Sequence, residues 1–142
     1  MVAAMNSRLN PYIHFKDNAR QGMEFYKSVF GGTLTTMTFK DAGMAPTPAD
    51  GDLVMHSMLE APNGMTLMGS DTPSHMKPNP GATVTIALSG DNAAELGAYF
   101  DKLASGGNVA YPLAKAPWGD SFGMLTDRYG IEWMVNISTP KA

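Results

Sequence analysis

The sequence contains no cysteine among its 142 residues. Disulfide bonds, thiolate metal sites and cysteine nucleophiles are therefore excluded, and the absence favours a reducing compartment. Charged residues make up only 16% of the chain, and its 10 basic residues form no run that could follow a phosphate backbone. No apolar run approaches the roughly 20 residues that cross a bilayer, and the N-terminal segment MVAAMNSRLN lacks a signal-peptide core. We expect a cytoplasmic protein that binds neither nucleic acid nor membrane.

Short sequence motifs that indicate common catalytic or nucleotide-binding sites are also absent. There is no phosphate-binding glycine loop, no G-x-S-x-G and no H-E-x-x-H. A hydrophobic content of 44% is that of a globular chain, and 142 residues suit one domain. We therefore expect residues 1–142 to form a single domain whose function must be sought in its fold.

The chain repeats itself, which is the strongest signal in the sequence. DNARQGMEFY, which begins at Asp17, aligns without a gap with DNAAELGAYF, which begins at Asp91. Each segment leads to a double glycine, and GMTLMG from Gly64 is matched later by GIEWMV from Gly130. Three matches in the same order indicate a duplication.

Each copy predicts one helix and four strands. Asp17 and Asp91 are expected to cap the helices, and the glycine pairs are expected to end them. Apolar residues recur at helical spacing in both copies: Met23, Tyr26 and Phe30, then Leu96, Tyr99, Phe100 and Leu103. Strands are predicted at Ile13–Phe15, Leu34–Phe39, Leu53–Leu59, Met65–Gly69, Ile86–Leu88, Asn108–Tyr111, Phe122–Thr126 and Ile131–Asn136.

The sequence thus predicts two βαβββ modules in an α+β fold. The first module spans about residues 8–73, a proline-containing linker spans residues 74–81, and the second module spans about residues 82–138. A four-stranded sheet with one helix leaves its second face bare, so two such faces must cover each other or enclose a cavity. The segment Lys40–Asp52 has no counterpart in the second copy and is a candidate flap.

A doubled βαβββ unit with these residues resembles the vicinal-oxygen-chelate superfamily, which includes glyoxalases, bleomycin-resistance proteins and extradiol dioxygenases. More narrowly, it resembles the PhnB-like branch. The segments that carry the resemblance are PYIHFKDNARQGMEFYKSVFGG, HSMLEAPNGMTLMGSDTP and PWGDSFGMLTDRYGIEWMVNI. The resemblance implies a cupped, eight-stranded mixed sheet with the helices outside.

The resemblance also implies where a metal would bind. Members that use a divalent metal place a His or Glu on the first and fourth strands of each module. Those positions are carried onto Tyr12, Met68, Thr85 and Met134, which are poor ligands for such an ion. We therefore predict no cofactor and no metal ligand, and a divalent metal only through an atypical site.

Three histidines remain as candidates for chemistry. His14 lies between Ile13 and Phe15, so it should face the cup if its neighbours face the helix. It is either a functional residue, as a proton-transfer group or a hydrogen-bond donor to the substrate, or a strand histidine satisfied by a neighbour. His56 should share the cup with His14, and with Glu60 or Glu132 the pair could form an atypical two-histidine, one-carboxylate site. His75 is expected in an exposed loop.

Twelve methionines are many for this length, and several fall at predicted cup positions. Methionine is flexible and polarizable, so it suits either an adaptable ligand pocket or plain core filling. Trp118 either closes the mouth of a pocket or anchors a loop, whereas Trp133 is expected in the core. The predicted ligand-binding residues are Tyr12, His14, His56, Met58, Met68, Thr85, Trp118 and Met134.

The leading hypothesis is a small-molecule-binding protein without the usual metal site. One alternative is an enzyme of the lyase, isomerase or dioxygenase type with His14 as the catalytic acid or base, either metal-independent or with an atypical histidine-based metal site. A second alternative is a non-catalytic structural dimer with a packed interior. We expect a homodimer by resemblance, and because βαβββ modules leave an edge or an apolar face to be covered.

Overall fold

The computed structural model describes residues 10–74 and 84–139. The chain divides into two compact units, one on each side of residues 75–83. We name residues 10–74 module 1 and residues 84–139 module 2. Most of the predicted linker, including His75, lies outside the described residues. None of the described helices is long and apolar enough to cross a membrane.

Module 1 has the predicted order of one helix and four strands. Its main elements are β1 (Tyr12–Phe15), α1 (Ala19–Phe30), β2 (Thr33–Thr38), β3 (Val54–Glu60) and β4 (Thr66–Asp71). A short helix α2 (Phe39–Ala42) and single 3-10 turns at Pro48–Asp50 and Pro62–Gly64 lie in its connections. The candidate flap therefore has local structure, and the buried Asp50 carboxylate accepts hydrogen bonds there from the hydroxyls of Thr47 and Ser74.

Module 2 repeats this order without the additional short helices. Its elements are β5 (Ile86–Gly90), α3 (Ala93–Ala104), β6 (Asn108–Lys115), β7 (Ser121–Thr126) and β8 (Glu132–Ile137). Strand β6 runs four residues beyond its predicted end and includes Pro112. Proline cannot donate a ladder hydrogen bond, but β6 is an edge strand of its sheet, where proline is tolerated.

Both modules have the same sheet topology. The strand order is β1-β4-β3-β2 in module 1 and β5-β8-β7-β6 in module 2. In each sheet the first and last strands of the module pair in parallel, and the remaining pairs are antiparallel. The predicted α+β fold class, with two βαβββ modules and eight strands, is confirmed.

The helices cover one face of each sheet. Helix α1 contacts all four strands of module 1, and α3 contacts all four strands of module 2. The residues of both predicted apolar stripes are buried. Burial of a side chain of this size stabilises the fold by about 1.5–3 kcal/mol. Each helix therefore holds its own module together through one apolar face.

The predicted helix caps are wrong by one residue. Asn18 and Asn92 occupy the N-cap positions, and the Asn92 side chain accepts a hydrogen bond from the Glu95 amide. Asn18 makes no such bond, and Asp17 takes a left-handed backbone with φ of 66°. In module 1 the free amide of Ala19 is bound instead by Asp71, at 2.9 Å. A carboxylate distant in sequence has replaced the local cap.

Asp71 joins three elements of module 1. This buried residue ends β4, and its second carboxylate oxygen accepts a hydrogen bond from the amide of Val54 at the start of β3. Asp127 has a comparable part in module 2, where it accepts hydrogen bonds from the amides of Tyr129 and Ile131 and from the indole of the buried Trp133. Both carboxylates bind backbone groups, so their role is structural.

Candidate functional site

The helix-free face of module 1 displays the predicted polar residues of strand β1. Ile13 and Phe15 are buried, whereas Tyr12 and His14 are exposed. Successive side chains of a strand point to opposite faces, so Tyr12 and His14 lie on the face away from α1. The predicted orientation of His14 relative to its two neighbours is confirmed.

Tyr12 lies between the two histidines of this face. Its hydroxyl is 3.2 Å from Nδ1 of His56, a hydrogen-bonding distance. Its ring centroid is 5.3 Å from that of His14 and 5.8 Å from that of His56. The predicted approach of His56 to His14 therefore takes place through Tyr12, and the three rings form one cluster, the Tyr12 cluster.

The small side chain of Ser70 makes room for this cluster. Strand β4 separates β1 from β3, and Ser70 on β4 lies directly opposite His14. Neighbouring strands are about 4.8 Å apart, so a tyrosine can reach across one intervening strand only above a short residue. Ser70 is buried at this position. Sequence reasoning missed Ser70, because a serine in a strand carries no signal of what passes over it.

Methionines occupy the next positions on the same face. Met58 and Met68 are direct cross-strand partners on β3 and β4, and Tyr12 is the partner of Met68 on β1. Both methionines are half-buried. Met124 and Met134 form the matching cross-strand pair in module 2. The predicted equivalence of Met68 and Met134 is confirmed by this register.

The predicted equivalence of Tyr12 and Thr85 is wrong by two residues. Tyr12 pairs with Met68, and the residue that pairs with Met134 is Ala87. Two residues is one full period of a strand, so Thr85 is displaced along the strand direction without a change of face. The Thr85 hydroxyl donates a hydrogen bond to Glu132, at 3.2 Å. The sequence match took a position six residues before Asp91 as the equivalent of Tyr12, which lies five residues before Asp17, whereas the strand pairing selects Ala87, four residues before Asp91.

The residues of the Tyr12 cluster have no polar aromatic counterparts in module 2. The same register places Ala87 at the position of Tyr12 and Ser89 at that of His14. Phe122 stands at the position of His56, since each lies two residues before the methionine of its strand. The duplicated sheets therefore present chemically different faces.

Trp118 lies beside Phe122 in module 2. The two rings meet edge to face with centroids 5.5 Å apart, and 61% of the Trp118 side chain is exposed. Its indole N–H points to the side-chain oxygen of Asn136 at 3.4 Å, and the amide of Asn136 donates to Asp120 at 3.0 Å. Trp118 is thus positioned by a polar chain that sequence reasoning missed.

Asp120 is the charged end of that chain. The hydrogen bond from Asn136 and a second from the backbone amide of Thr139 lower the pKa of its carboxyl group below the ordinary aspartate range. The group is therefore ionised at neutral pH and accepts both bonds. This geometry is that of a structural acceptor.

The residues at the implied metal positions do not fit a divalent ion. With the corrected register these positions hold a phenol, two thioethers and the methyl group of Ala87. Within residues 10–74 and 84–139, no three His, Asp or Glu side chains gather closely enough to hold one ion. Hard and intermediate divalent ions prefer carboxylate and imidazole ligands, so no chemical step is assigned to such a metal.

Known proteins are similar to this protein over most of the chain. Residues 8–135 match the model of a family described as the Glyoxalase/Bleomycin resistance protein/Dioxygenase superfamily. Protein YjdN of Escherichia coli strain K12 is 26% identical over 140 residues, which cover 91% of this chain and 94% of that protein.

Solved structures show the same likeness. The crystal structure of protein PA1353 from Pseudomonas aeruginosa has 37% sequence identity and a TM-score of 0.81, covering 95% of this chain and all 100% of that one. A Bacillus cereus structure named as a putative 3-demethylubiquinone-9 3-methyltransferase, PhnB protein, has 23% identity and a TM-score of 0.73. The match covers 93% of this chain and 100% of that one. At this identity, the similarity is evidence for a shared fold only.

Proposed function

Because the chain belongs to the glyoxalase/bleomycin resistance protein/dioxygenase superfamily, we propose that it is a small-molecule-binding protein that uses the helix-free face of module 1. The observation that supports this proposal is the Tyr12 cluster, in which one phenol contacts two imidazoles at the surface. The fold by itself does not select a function, since one architecture can host many.

The cluster and its neighbours suit a small organic ligand. Tyr12, His14 and His56 supply donors, acceptors and flat ring surfaces within a few ångströms of each other. Met58 and Met68 add flexible apolar surface next to these polar atoms. A few polar groups within an apolar lining is the usual composition of a ligand site.

Module 2 has proposed ligand contacts of its own. They are Thr85, Trp118 and Met134. Their side chains would contact the ligand through polar or apolar atoms. Trp118 is the strongest of these, because its exposed indole is already positioned by Phe122 and Asn136. An ordered aromatic side chain loses little conformational entropy when it binds.

An enzyme is the second candidate, and the contact between Tyr12 and His56 is the observation that favours it. A phenol hydrogen-bonded to an imidazole can pass a proton through that bond. His14 would then be the acid or base that faces the substrate, as the sequence predicts.

The first test is native mass spectrometry of the full chain purified from cells without added metal. We expect an organic adduct, or saturable binding of the fluorescent probe 8-anilinonaphthalene-1-sulfonate, that weakens in Tyr12→Phe and His14→Ala. Loss of one hydrogen bond or ring contact should weaken binding by about two- to tenfold. Ser89→Ala alters the equivalent position of module 2 and is the matched control.

Two results would contradict the proposal. One is the absence of both an adduct and saturable probe binding in the folded protein. The other is a stoichiometric divalent ion that is lost in His14→Ala or His56→Ala, because it would show an atypical metal site in place of metal-free binding. Turnover of a compound identified by its mass would favour the enzyme over the binding protein.

A further inference from the structure

Three methionines and one histidine occupy neighbouring positions on the helix-free face of the sheet of module 1. Met37 on β2 is the direct cross-strand partner of His56 on β3. Met58 follows His56 by one strand period, and Met68 on β4 is the partner of Met58. Cross-strand partners have Cβ atoms about 4.5–5.5 Å apart, and all four side chains lie on the helix-free face.

We propose that Met37, His56, Met58 and Met68 form a binding site for one Cu(I) ion. Thioether sulfur and imidazole nitrogen are soft or intermediate donors that select Cu(I) over the divalent ions of hard sites. Thioethers bind without losing a proton and bring no negative charge, so the bound site would carry only the single charge of the ion. This inference goes beyond the proposed function, which concerns an organic ligand.

The hydrogen bond of His56 is that of a metal ligand in the tautomer in which Nδ1–H donates to the Tyr12 oxygen and Nε2 keeps its lone pair. Its Nδ1 is engaged by the Tyr12 hydroxyl, and Nε2 has no hydrogen-bond partner within residues 10–74 and 84–139. Histidines that bind metals usually hold one ring nitrogen in such a bond, which fixes the ring and leaves the other nitrogen to coordinate. Tyr12 is therefore a positioning residue for this site.

The four side chains also differ in exposure in a way that suits ion entry. Met37 is 43% exposed, whereas His56, Met58 and Met68 are half-buried. An ion can meet the exposed thioether first and then the three deeper donors. Methionine has three rotatable bonds, so the sulfur atoms can adjust to the coordination that Cu(I) requires.

Module 2 supplies an internal comparison. It keeps the methionine pair, Met124 and Met134, but has Phe122 at the position of His56 and Ala114 at the position of Met37. It therefore offers two thioethers without the imidazole. The proposal predicts a clear difference in Cu(I) affinity between the helix-free faces of the two modules, which have the same sheet topology.

The test is a competition between the full chain and the chromogenic chelator bicinchoninate for Cu(I), in anaerobic reducing buffer. We expect one equivalent of Cu(I) per chain, with affinity at least about tenfold lower in the double variant Met58→Leu/Met68→Leu and in His56→Phe. The matched control Met124→Leu/Met134→Leu should keep the wild-type affinity. Methionine to leucine usually costs less than about 1.5 kcal/mol of stability, and circular dichroism verifies the fold.

A second measurement uses the wild-type chain, so it is independent of how the variants fold. With methionine labelled at its methyl carbon, Ag(I) as a redox-inert substitute should shift the NMR signals of Met37, Met58 and Met68 and leave those of Met124 and Met134 in place. Equal shifts in both modules, equal losses in both double variants, or no competition with bicinchoninate would overturn the proposal. None of these results would decide whether an organic ligand binds.

Discussion

Asp120 has an electrostatic setting that can be measured at the scale of one residue. Its carboxylate accepts one hydrogen bond from the Asn136 side chain and one from the Thr139 amide. Both bonds favour the charged form, and they lower the pKa of the group. Because Asn136 also meets Trp118, the charge on Asp120 is coupled to the position of an exposed indole.

Asn136→Ala should raise the pKa of Asp120 toward the ordinary aspartate range. The hydrogen bond from Asn136 is the largest cause of the lowered value, and the smaller contribution of Thr139 would remain. Titration of the Asp120 carboxyl carbon by NMR measures the change. Ser89→Ala removes the hydroxyl of the residue opposite Asn136 and should leave the pKa of Asp120 unchanged.

The direction of the pH dependence follows from this lowered pKa. A carboxyl group whose pKa is lower in the folded than in the unfolded chain stabilises the fold at pH values above its unfolded pKa. That contribution is lost as the pH falls through the folded pKa. Acid unfolding should therefore begin at a higher pH in Asp120→Asn, and an unchanged acid transition would contradict this assignment.

Single-residue features were the least predictable from the sequence. Strand alternation was enough to place Tyr12 and His14 on one face, because Ile13 and Phe15 are apolar neighbours. The bond from Tyr12 to His56 was not predictable, since it depends on the small Ser70 in an intervening strand. Asp71 as the partner of the Ala19 amide was also missed, because the two residues are far apart in the chain.

The double glycines perform two different tasks at the scale of an element. Gly31 and Gly106 have positive φ angles of 76° and 79°, which turn the chain at the end of each helix. At Gly32 and Gly107 an added Cβ would overlap the backbone carbonyl oxygens of Glu60 and Thr126 respectively. The second glycine of each pair therefore lets the start of one strand approach the end of its neighbour.

Gly32→Ala and Gly107→Ala should each destabilise the protein by about 2 kcal/mol or more, because a rigid backbone atom blocks the new methyl group. Gly97→Ala is the matched control within helix α3, where a Cβ meets nothing within 4 Å. It should stabilise the protein by about 0.5–1 kcal/mol. Urea denaturation measures all three, and a tolerated Gly107→Ala would show that the strands can separate without cost.

The elements themselves were largely predictable, since apolar residues recur with clear helical and strand periods. The boundaries moved where local signals compete. The N-cap of each helix is an asparagine and not the predicted aspartate. Strand β6 continues through Pro112 because an edge strand does not need a hydrogen bond from every backbone amide. The register of Thr85 was wrong by two residues, because the match allowed one residue more before the helix of module 2, whereas the strand pairing shows one residue fewer.

At the scale of the whole molecule, the predicted homodimer is open to test. Each four-stranded sheet ends in two edge strands, and most of β6 is exposed. Unpaired strand edges are commonly covered by a second copy of a chain. We expect sedimentation velocity at micromolar concentration to give the mass of two chains, near twice 15.1 kDa. A single species of one chain's mass would contradict this expectation.

Pro112 makes the edge strand β6 less prone to aggregation than the edge strand β2. In β6 the pairing register shifts between Val109 and Tyr111 and again between Tyr111 and Ala114, the interval that contains Pro112, so this edge is a poor template for an incoming strand. Strand β2 has no proline and keeps a regular register from Thr33 to Met37. If partial unfolding under heat or acid leads to fibres, their growth should begin at β2, and a lysine in place of Thr35 would be the single change that slows it.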